Sequence, residues 1–362
     1  MKNNDNYCII MAGGIGSRFW PISRTDKPKQ FLDILKTGKT LIQQTFERFE
    51  HFCPKENILI VTSSNYEEIT LEQLPFISAN QVLLEPARRN TAPCIAYANE
   101  KIRTLNPNAN IIVAPSDHII LNEDKFRDVI NRALEFTRTS ESLVTIGLRP
   151  TRPDTGYGYI QYAFEKSDQK PIFKVKTFTE KPNLDLAKIF LDSGDFLWNS
   201  GIFVWNLQSI SKAFNQFLPD ISSLFSDIST DYNTDNEKSA IENVYAVCKN
   251  ISIDYGIMEK AQNVHVVAAD FGWSDLGTWG SLYEQADKDS DSNVGVSDKI
   301  LAYDSKNCIV DVPEGKLVIM QGLDGYIVAE SGNSLLICKK EDEQSLRDIV
   351  TDVKKQFGDD YI

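Results

Sequence analysis

The chain has 362 residues, 42% of them apolar and 25% charged, with a net charge of −13, as expected of a water-soluble globular protein. The acidic balance argues against nucleic acid or an anionic membrane as the main partner, and no apolar run approaches the ~20 residues of a membrane helix. Six cysteines at 8, 53, 94, 248, 308 and 338 form no Cys-x-x-Cys pair, which excludes a cysteine-built zinc site. The N-terminal "MKNNDNYCIIMAGG" has too short an apolar stretch for a signal peptide, so the expectation is a cytoplasmic protein with reduced thiols.

In chain order, "YCIIM" (7–11) reads as a buried strand feeding a glycine loop. "TLIQQTFERF" (40–49) has helical spacing at Leu41, Thr45 and Phe49. "NILIVT" (57–62) and "QVLLEP" (81–86) read as strands, the second stopped by Pro86. "TAPCIAYANEKI" (91–102) reads as a helix with Thr91 as N-cap and Pro93 in its first turn. A strand in "ANIIVAPSDH" (109–118), an amphipathic helix over 123–139 and a strand in "SLVTIGL" (142–148) follow. This alternation predicts a Rossmann-like α/β fold, a mixed and mostly parallel sheet flanked by helices. Ligands of such sheets gather beyond the carboxyl ends of the strands, where the glycine loop, Glu85, Asp117 and Arg149 fall. From about residue 290 the strands become short and are broken by Gly315, Gly322, Gly325 and Gly332, with no strict repeat visible, until the helical "DEQSLRDIVTDVKKQF". The expected division is a catalytic domain over 1–288 and a small β-rich domain with a terminal helix over 289–362, expected as a short left-handed β-helix.

"MAGGIGSRFWPISRTDKPKQF" (11–31) fits neither familiar phosphate loop. Gly14 and Gly16 match the first two glycines of a dinucleotide fingerprint, but Phe19 stands at the third, and no Gly-Lys-Ser/Thr follows. Gly13, Gly14 and Gly16 still let backbone amides approach phosphate oxygens. Arg18 can fork onto two oxygens and Lys29 supplies a point charge, while Pro21 and Pro28 stiffen the segment between them. Residues 1–30 carry Lys2, Arg18, Arg24, Lys27 and Lys29 against Asp5 and Asp26, five minus two or +3, which points to a small polyanion such as a triphosphate. On spacing alone the stretch also reads as a glycine turn flanked by solvated cations.

The loop is followed, in order, by "EPARRNTAPCIA" (85–96), "APSDH" (114–118), "GYGYI" (156–160), "FTEKP" (178–182), "WNSGIFVW" (198–205), "SIDYGIMEKA" (252–261) and "WSDLGTW" (273–279). Together these blocks resemble the sugar-1-phosphate nucleotidyltransferase family, most closely its branch that couples GTP to mannose 1-phosphate. The resemblance implies that the phosphate oxygen of α-mannose 1-phosphate attacks the α-phosphorus of GTP in line, giving GDP-mannose and pyrophosphate without a covalent intermediate. It implies Arg18 on the leaving β,γ-phosphates and Lys29 on the α-phosphate as the catalytic cations. Ala12, Gly13, Gly14, Gly16, Ser17, Glu85, Asn90 and Thr91 would bind the nucleotide, Glu85 by accepting from guanine N1–H and N2–H₂. Asp117 and Asp275 would hold Mg²⁺, a cation suited to one or two carboxylates plus phosphate and water. Gly158 would leave room for the sugar ring, Glu180 and Asn199 would bind hydroxyls, and Lys181 would clamp the sugar phosphate. Asp254 stays open between a sugar-site and a structural acid. His118 suits packing more than Mg²⁺ ligation. Family members often form homodimers, and the tail resembles that of the short forms, without the isomerase domain of bifunctional ones. Two other readings are the same chemistry on fucose 1-phosphate or glucose 1-phosphate, and a non-catalytic sugar-nucleotide-binding subunit. The presence of Arg18, Lys29, Asp117 and Asp275 disfavours the second.

Overall fold

The structure is a computed structural model that describes residues 3–14, 16–163, 172–295 and 299–362; Lys2 of the basic cluster lies outside them. Two compact units are formed. The first comprises Met1–Gly13, Thr45–Ser116 and Ile120–Trp273, the second Gly14–Gln44, Asp117–Ile119 and Ser274–Ile362. No single cut in the chain separates them, because most of the glycine loop and both aspartates of the expected metal pair are grouped with the C-terminal segment.

The first unit is built on a nine-stranded mixed sheet. Its strands are β1 (Asn6–Met11), β2 (Ile58–Ser63), β3 (Val82–Glu85), β4 (Asn110–Pro115), β5 (Leu143–Leu148), β6 (Tyr159–Tyr162), β7 (Ile172–Thr179), β8 (Phe196–Asn206) and β9 (Val264–Ala269). The spatial order is β3-β2-β1-β4-β8-β5-β9-β7-β6. The run β3-β2-β1-β4 is parallel, as is β5–β9; β8 is antiparallel to both β4 and β5, and β7 is antiparallel to β9 and β6. Residues on both faces of β1, β2 and β4 are buried, which is why these strands read as unbroken apolar runs. Helices α1 (Leu41–Phe49), α2 (Thr91–Leu105) and α3 (Glu123–Thr139) lie where their periodicity predicts. The N-cap of α2 differs: it is Asn90, whose Oδ1 accepts from Thr91 N–H at 2.9 Å. Asn90 holds φ 68° and ψ −169°, a strained backbone state outside the helical region, so the helix begins only at Thr91.

In the second unit, β10 (Val294–Gly295), β12 (Ile309–Asp311) and β14 (Tyr326–Ser331) stack in parallel, as do β11 (Ile300–Tyr303) and β13 (Val318–Gln321). An antiparallel strand, β15 (Ser334–Lys339), closes on β14. Ile300 pairs with Val318 and Ile309 with Ile327, in each case 18 residues on (318 − 300 and 327 − 309). The corners keep the same spacing: Asp304 and Gly322 have φ 48° and 73°, Asn307 and Gly325 57° and 73°. The β-rich tail is thus a stack of coils around Cys308, Val310, Val312, Met320 and Val328.

A second core joins these coils to the glycine loop. It contains Phe19, Trp20, Leu276, Ile309 and Ile327, Trp279 from α4 (Trp279–Gln285) and Leu346 from α5 (Leu346–Phe357). Trp20 Nε1 donates to Tyr361 O at 2.7 Å. Arg24 donates to Ser331 O at 2.6 Å, Asn333 Oδ1 at 2.9 Å, Ser334 Oγ at 3.1 Å and Asp360 O at 3.2 Å. Arg24, counted among the cations awaiting a polyanion, is therefore committed to the tail.

The coil corners carry a prediction. Nothing lies within 4 Å of a Cβ built on Gly325, so its φ of 73° is the sole obstacle to a side chain there. Gly325→Ala should lower unfolding free energy by about 1 kcal/mol. Gly325→Asn, copying Asn307 one coil earlier, should recover most of it. Urea midpoints of the three proteins check this.

Candidate active site

The loop after β1 turns back on itself at Gly16, whose φ is 66°. A Cβ there would lie 2.6 Å from Lys29 Cβ and 3.0 Å from Ser23 Oγ, so only glycine lets the turn pack against the Lys29 segment. Lys29 is 4% exposed. Its Nζ lies 2.8 Å from Asp117 Oδ2, and donates to Asp275 O at 2.7 Å and Leu276 O at 3.0 Å. An ammonium has three N–H donors, and all three are engaged. Asp275 is fixed in turn by Gly277 N–H, which donates to its Oδ1 at 2.9 Å. A Cβ on Gly277 would lie 2.6 Å from Asp275 Oδ2, so a side chain there would displace that carboxylate. Leu276 between them holds φ 43°, a conformation that persists only where the surroundings enforce it. Burial alone would raise the Asp117 pKa, but the adjoining Lys29 ammonium and His118 outweigh it and hold the carboxyl below its ordinary value.

These groups line a cleft of about 380 Å³ that lies wholly within the second unit. Gly16, Ser17, Arg18, Phe19, Lys29, Asp117, His118, Asp275 and Gly277 line it, together with Arg347 of α5. The structure therefore brings Arg18, Lys29, Asp117 and Asp275 together, although the two aspartates are 158 residues apart (275 − 117). Among the described residues no group of three His, Cys, Asp or Glu side chains forms a metal cage. Two carboxylates on a phosphate-sized cleft instead suit a hard cation that completes its shell with phosphate and water. Gly14 lies in the same unit, its carbonyl accepting from Gln30 Nε2 at 3.0 Å.

In the first unit, Glu85 ends β3 and is 8% exposed. Tyr245 O–H donates to its Oε1 at 2.9 Å, and a Cβ on Gly13 would lie 3.3 Å from its Oε2. Burial pushes its pKa up to about 7, against the Tyr245 hydrogen bond and the Arg88 charge. Ala12 uses its backbone locally, donating to Val61 O at 2.7 Å and accepting from Thr62 Oγ1 at 2.9 Å. Asn90 caps α2, and Thr91 Oγ1 accepts from Ile253 N–H at 2.8 Å.

The residues expected around the sugar phosphate also gather in the first unit. Lys181 is paired with Glu180, whose N–H donates to Glu259 Oε1 at 3.1 Å. A Cβ on Gly158 would meet Glu180 Oε2, so a side chain there would displace the end of that carboxylate. Asn199 Nδ2 donates to Asp254 Oδ1 at 2.9 Å, while its Oδ1 accepts from Thr145 Oγ1 at 2.9 Å and Gly201 N–H at 3.2 Å. Asp254 opens a π-helical turn, Asp254–Met258, a backbone form frequent at functional sites. Burial and the Glu180 charge push its pKa up to about 7, with Lys181 and Asn199 opposing. Beside this group, Arg152 sits 5.3 Å over the Trp198 ring, and Tyr157 packs edge-on to Trp198 and Trp273.

Three participants were not legible in advance. Tyr245, the partner of Glu85, lies 160 residues from it and outside any motif. Asp254 stood within a recognised block, but only the Asn199 bond assigns it to the cluster. Arg347 stands in a tail helix whose pattern reads simply as amphipathic.

Residues 7–292 match the family model described as nucleotidyl transferase, and residues 297–353 the model described as MannoseP isomerase/GMP-like beta-helix domain. A Salmonella montevideo protein named mannose-1-phosphate guanylyltransferase is 37% identical over 361 residues, covering 98% of this chain and 75% of its own. A protein of the same name from Escherichia coli K12 is 33% identical over 362 residues, covering 98% and 74%. A crystal structure from Thermus thermophilus, described as a mannose-1-phosphate geranyltransferase, superposes with a TM-score of 0.86 at 31% identity, covering 97% of this chain and 99% of that one.

The Glu85 environment makes a stability prediction. Its carboxyl pKa rises from 4.5 to about 7 on folding, so the fold favours the protonated form. The stability this group supplies is full below pH ~4.5 and is lost as pH climbs through ~7. Glu85→Gln stays neutral and can still accept from Tyr245. It should match the wild type near pH 4 and exceed it at pH 8 by up to about 3 kcal/mol. Denaturant titrations at the two pH values check this; an equal difference at both would refute it.

Proposed function

Because the chain belongs to the nucleotidyl transferase family, and within it to the mannose-1-phosphate guanylyltransferases, we propose that it transfers GMP from GTP to α-mannose 1-phosphate, yielding GDP-mannose and pyrophosphate. The observation that carries this reading is the convergence of Arg18, Lys29, Asp117 and Asp275 on one cleft. A phosphate oxygen of the sugar phosphate forms a bond to the α-phosphorus as the α–β P–O bond breaks. Both nucleophile and leaving group are already anionic, so no protein base is needed and catalysis reduces to positioning and charge.

Each group then has a role set by its surroundings. Arg18 holds the departing phosphates through a bidentate fork. Lys29 reaches the α-phosphate only by exchanging one of its three present bonds, so it also serves to hold the Asp117 and Asp275 turns together. Asp117 and Asp275 would hold a divalent cation, Mg²⁺, which when bound supplies positive charge to the phosphate oxygens. Glu85, when ionised, accepts from guanine N1–H and N2–H₂. Lys181 clamps the sugar phosphate and Glu180 accepts from the sugar hydroxyls, while Asn199 keeps Asp254 in place beside them. Residues 1–288 are the catalytic part of the sequence and 289–362 the β-rich part.

Pyrophosphate release across a panel of nucleoside triphosphates and sugar 1-phosphates tests the assignment. GTP with mannose 1-phosphate should exceed every other pair by at least about ten-fold in kcat/KM. A higher value with glucose 1-phosphate or fucose 1-phosphate would transfer the assignment to that sugar, and no release with any pair would favour a binding subunit.

The two aspartates give a second test. Asp117→Asn and Asp275→Asn should each raise the Mg²⁺ needed for half-maximal activity by roughly ten-fold or more, and the double variant should lose little beyond the worse single one. Additive losses would separate the two carboxylates.

A further inference from the structure

We propose that Arg347, on the first turn of the C-terminal helix α5, binds the terminal phosphates of the nucleotide and the pyrophosphate product, making the tail part of the substrate site. The proposal rests on the reading of the cleft as the place of the leaving phosphates. Arg347 lines that cleft beside Gly16, Ser17 and Arg18, yet it belongs to none of the recognised sequence blocks. Its position is fixed from both sides. The preceding residue, Leu346, is fully buried in the core that also holds Phe19 and Leu276. Three residues further back, Glu343 Oε2 accepts from Gly280 N–H at 2.6 Å, and a Cβ on Gly280 would lie 2.9 Å from Glu343 Oε1. The turn that delivers Arg347 is thus fastened to the start of α4, just after the Asp275 turn.

Charge points the same way. Lys29 is matched by Asp117, and Arg24 is bound to the tail. Among the described residues Arg347 forms no ion pair, so its exposed guanidinium meets the cleft without a carboxylate partner. An unmatched guanidinium on the cleft is a good match to a phosphate chain of several charges.

The test uses the full chain and the variants Arg347→Met, which keeps the stem, and Arg347→Lys. Inorganic pyrophosphate binding is measured by calorimetry in the presence of Mg²⁺, with KM values for pyrophosphate in the reverse direction and for mannose 1-phosphate in the forward one. Arg347→Met should weaken pyrophosphate binding about ten-fold and raise its KM to match, leave the KM for mannose 1-phosphate within about two-fold, and keep the thermal midpoint. Arg347→Lys should recover part of the loss, since it restores charge without the fork. Pyrophosphate binding equal in Arg347→Met and wild type, or absent from the wild type, overturns the proposal. A binding loss in Arg347→Met together with a wild type that transfers no GMP would support the Arg347 site and sink the transferase reading, so the two fail separately.

Discussion

The second unit turns on one buried ammonium. Lys29 Nζ meets the Asp117 carboxylate and the carbonyls of Asp275 and Leu276, and so joins three stretches of chain far apart in sequence. Removing a cation from water is costly unless each donor finds an acceptor, and here each does. The surroundings follow from that requirement. Gly16 has no side chain because Lys29 Cβ occupies the space, and a side chain at Gly277 would displace the Asp275 carboxylate. Leu276 is held at φ 43° because its carbonyl must face the ammonium. Loss of the ammonium would leave Asp117 beside two unpaired carbonyls, so the same contact that shapes the cleft also keeps the Asp117 carboxyl ionised.

Three acids of the two clusters, Asp117, Glu85 and Asp254, divide into two classes for the same reason. Asp117 has a cation against it and stays below its ordinary pKa. Glu85 and Asp254 are buried with hydrogen-bond donors as their nearest partners, and both are pushed up to about 7. A hydroxyl or amide donor offsets desolvation only in part, whereas an ammonium at 2.8 Å more than offsets it. The first class suits a permanent countercharge for cations. The second suits groups that pass between donor and acceptor near neutral pH.

Much of this was legible in the sequence, and the rest was hidden for identifiable reasons. The strands and helices of the first unit show through because burial on both faces, or on one helical stripe, forces apolar periodicity. Arg18, Lys29, Asp117 and Asp275 could be grouped in advance only through the resemblance of the ordered blocks to a family, and the four do line one cleft. The 18-residue coil was invisible because its corners need only a left-handed backbone, met by Asp304 and Asn307 in one coil and by Gly322 and Gly325 in the next. Its interior needs only apolar volume, so Val310 and Val328 keep the pattern while their neighbours drift. Asn90 displaced Thr91 as the cap because backbone conformation, not side-chain chemistry alone, decides that position. Arg24 read as one of the cations awaiting a polyanion, and Arg347 fell in no motif. Their fates differ because one meets carbonyls of the tail and the other meets a cleft.

The bond from Trp20 Nε1 to Tyr361 O spans 341 residues. Its donor is translated 341 residues before its acceptor. The first unit holds a sheet and core of its own, so its strands can pair while translation continues. The stretch carrying Arg18 and Lys29 has to wait, tethered to a folded neighbour but without the coils and the terminal helix that give it a wall. A nascent chain can therefore be largely folded and still hold no ordered place for a triphosphate, and a stalled or clipped product lacking Leu346 and Tyr361 would bring an unfastened loop into the cell.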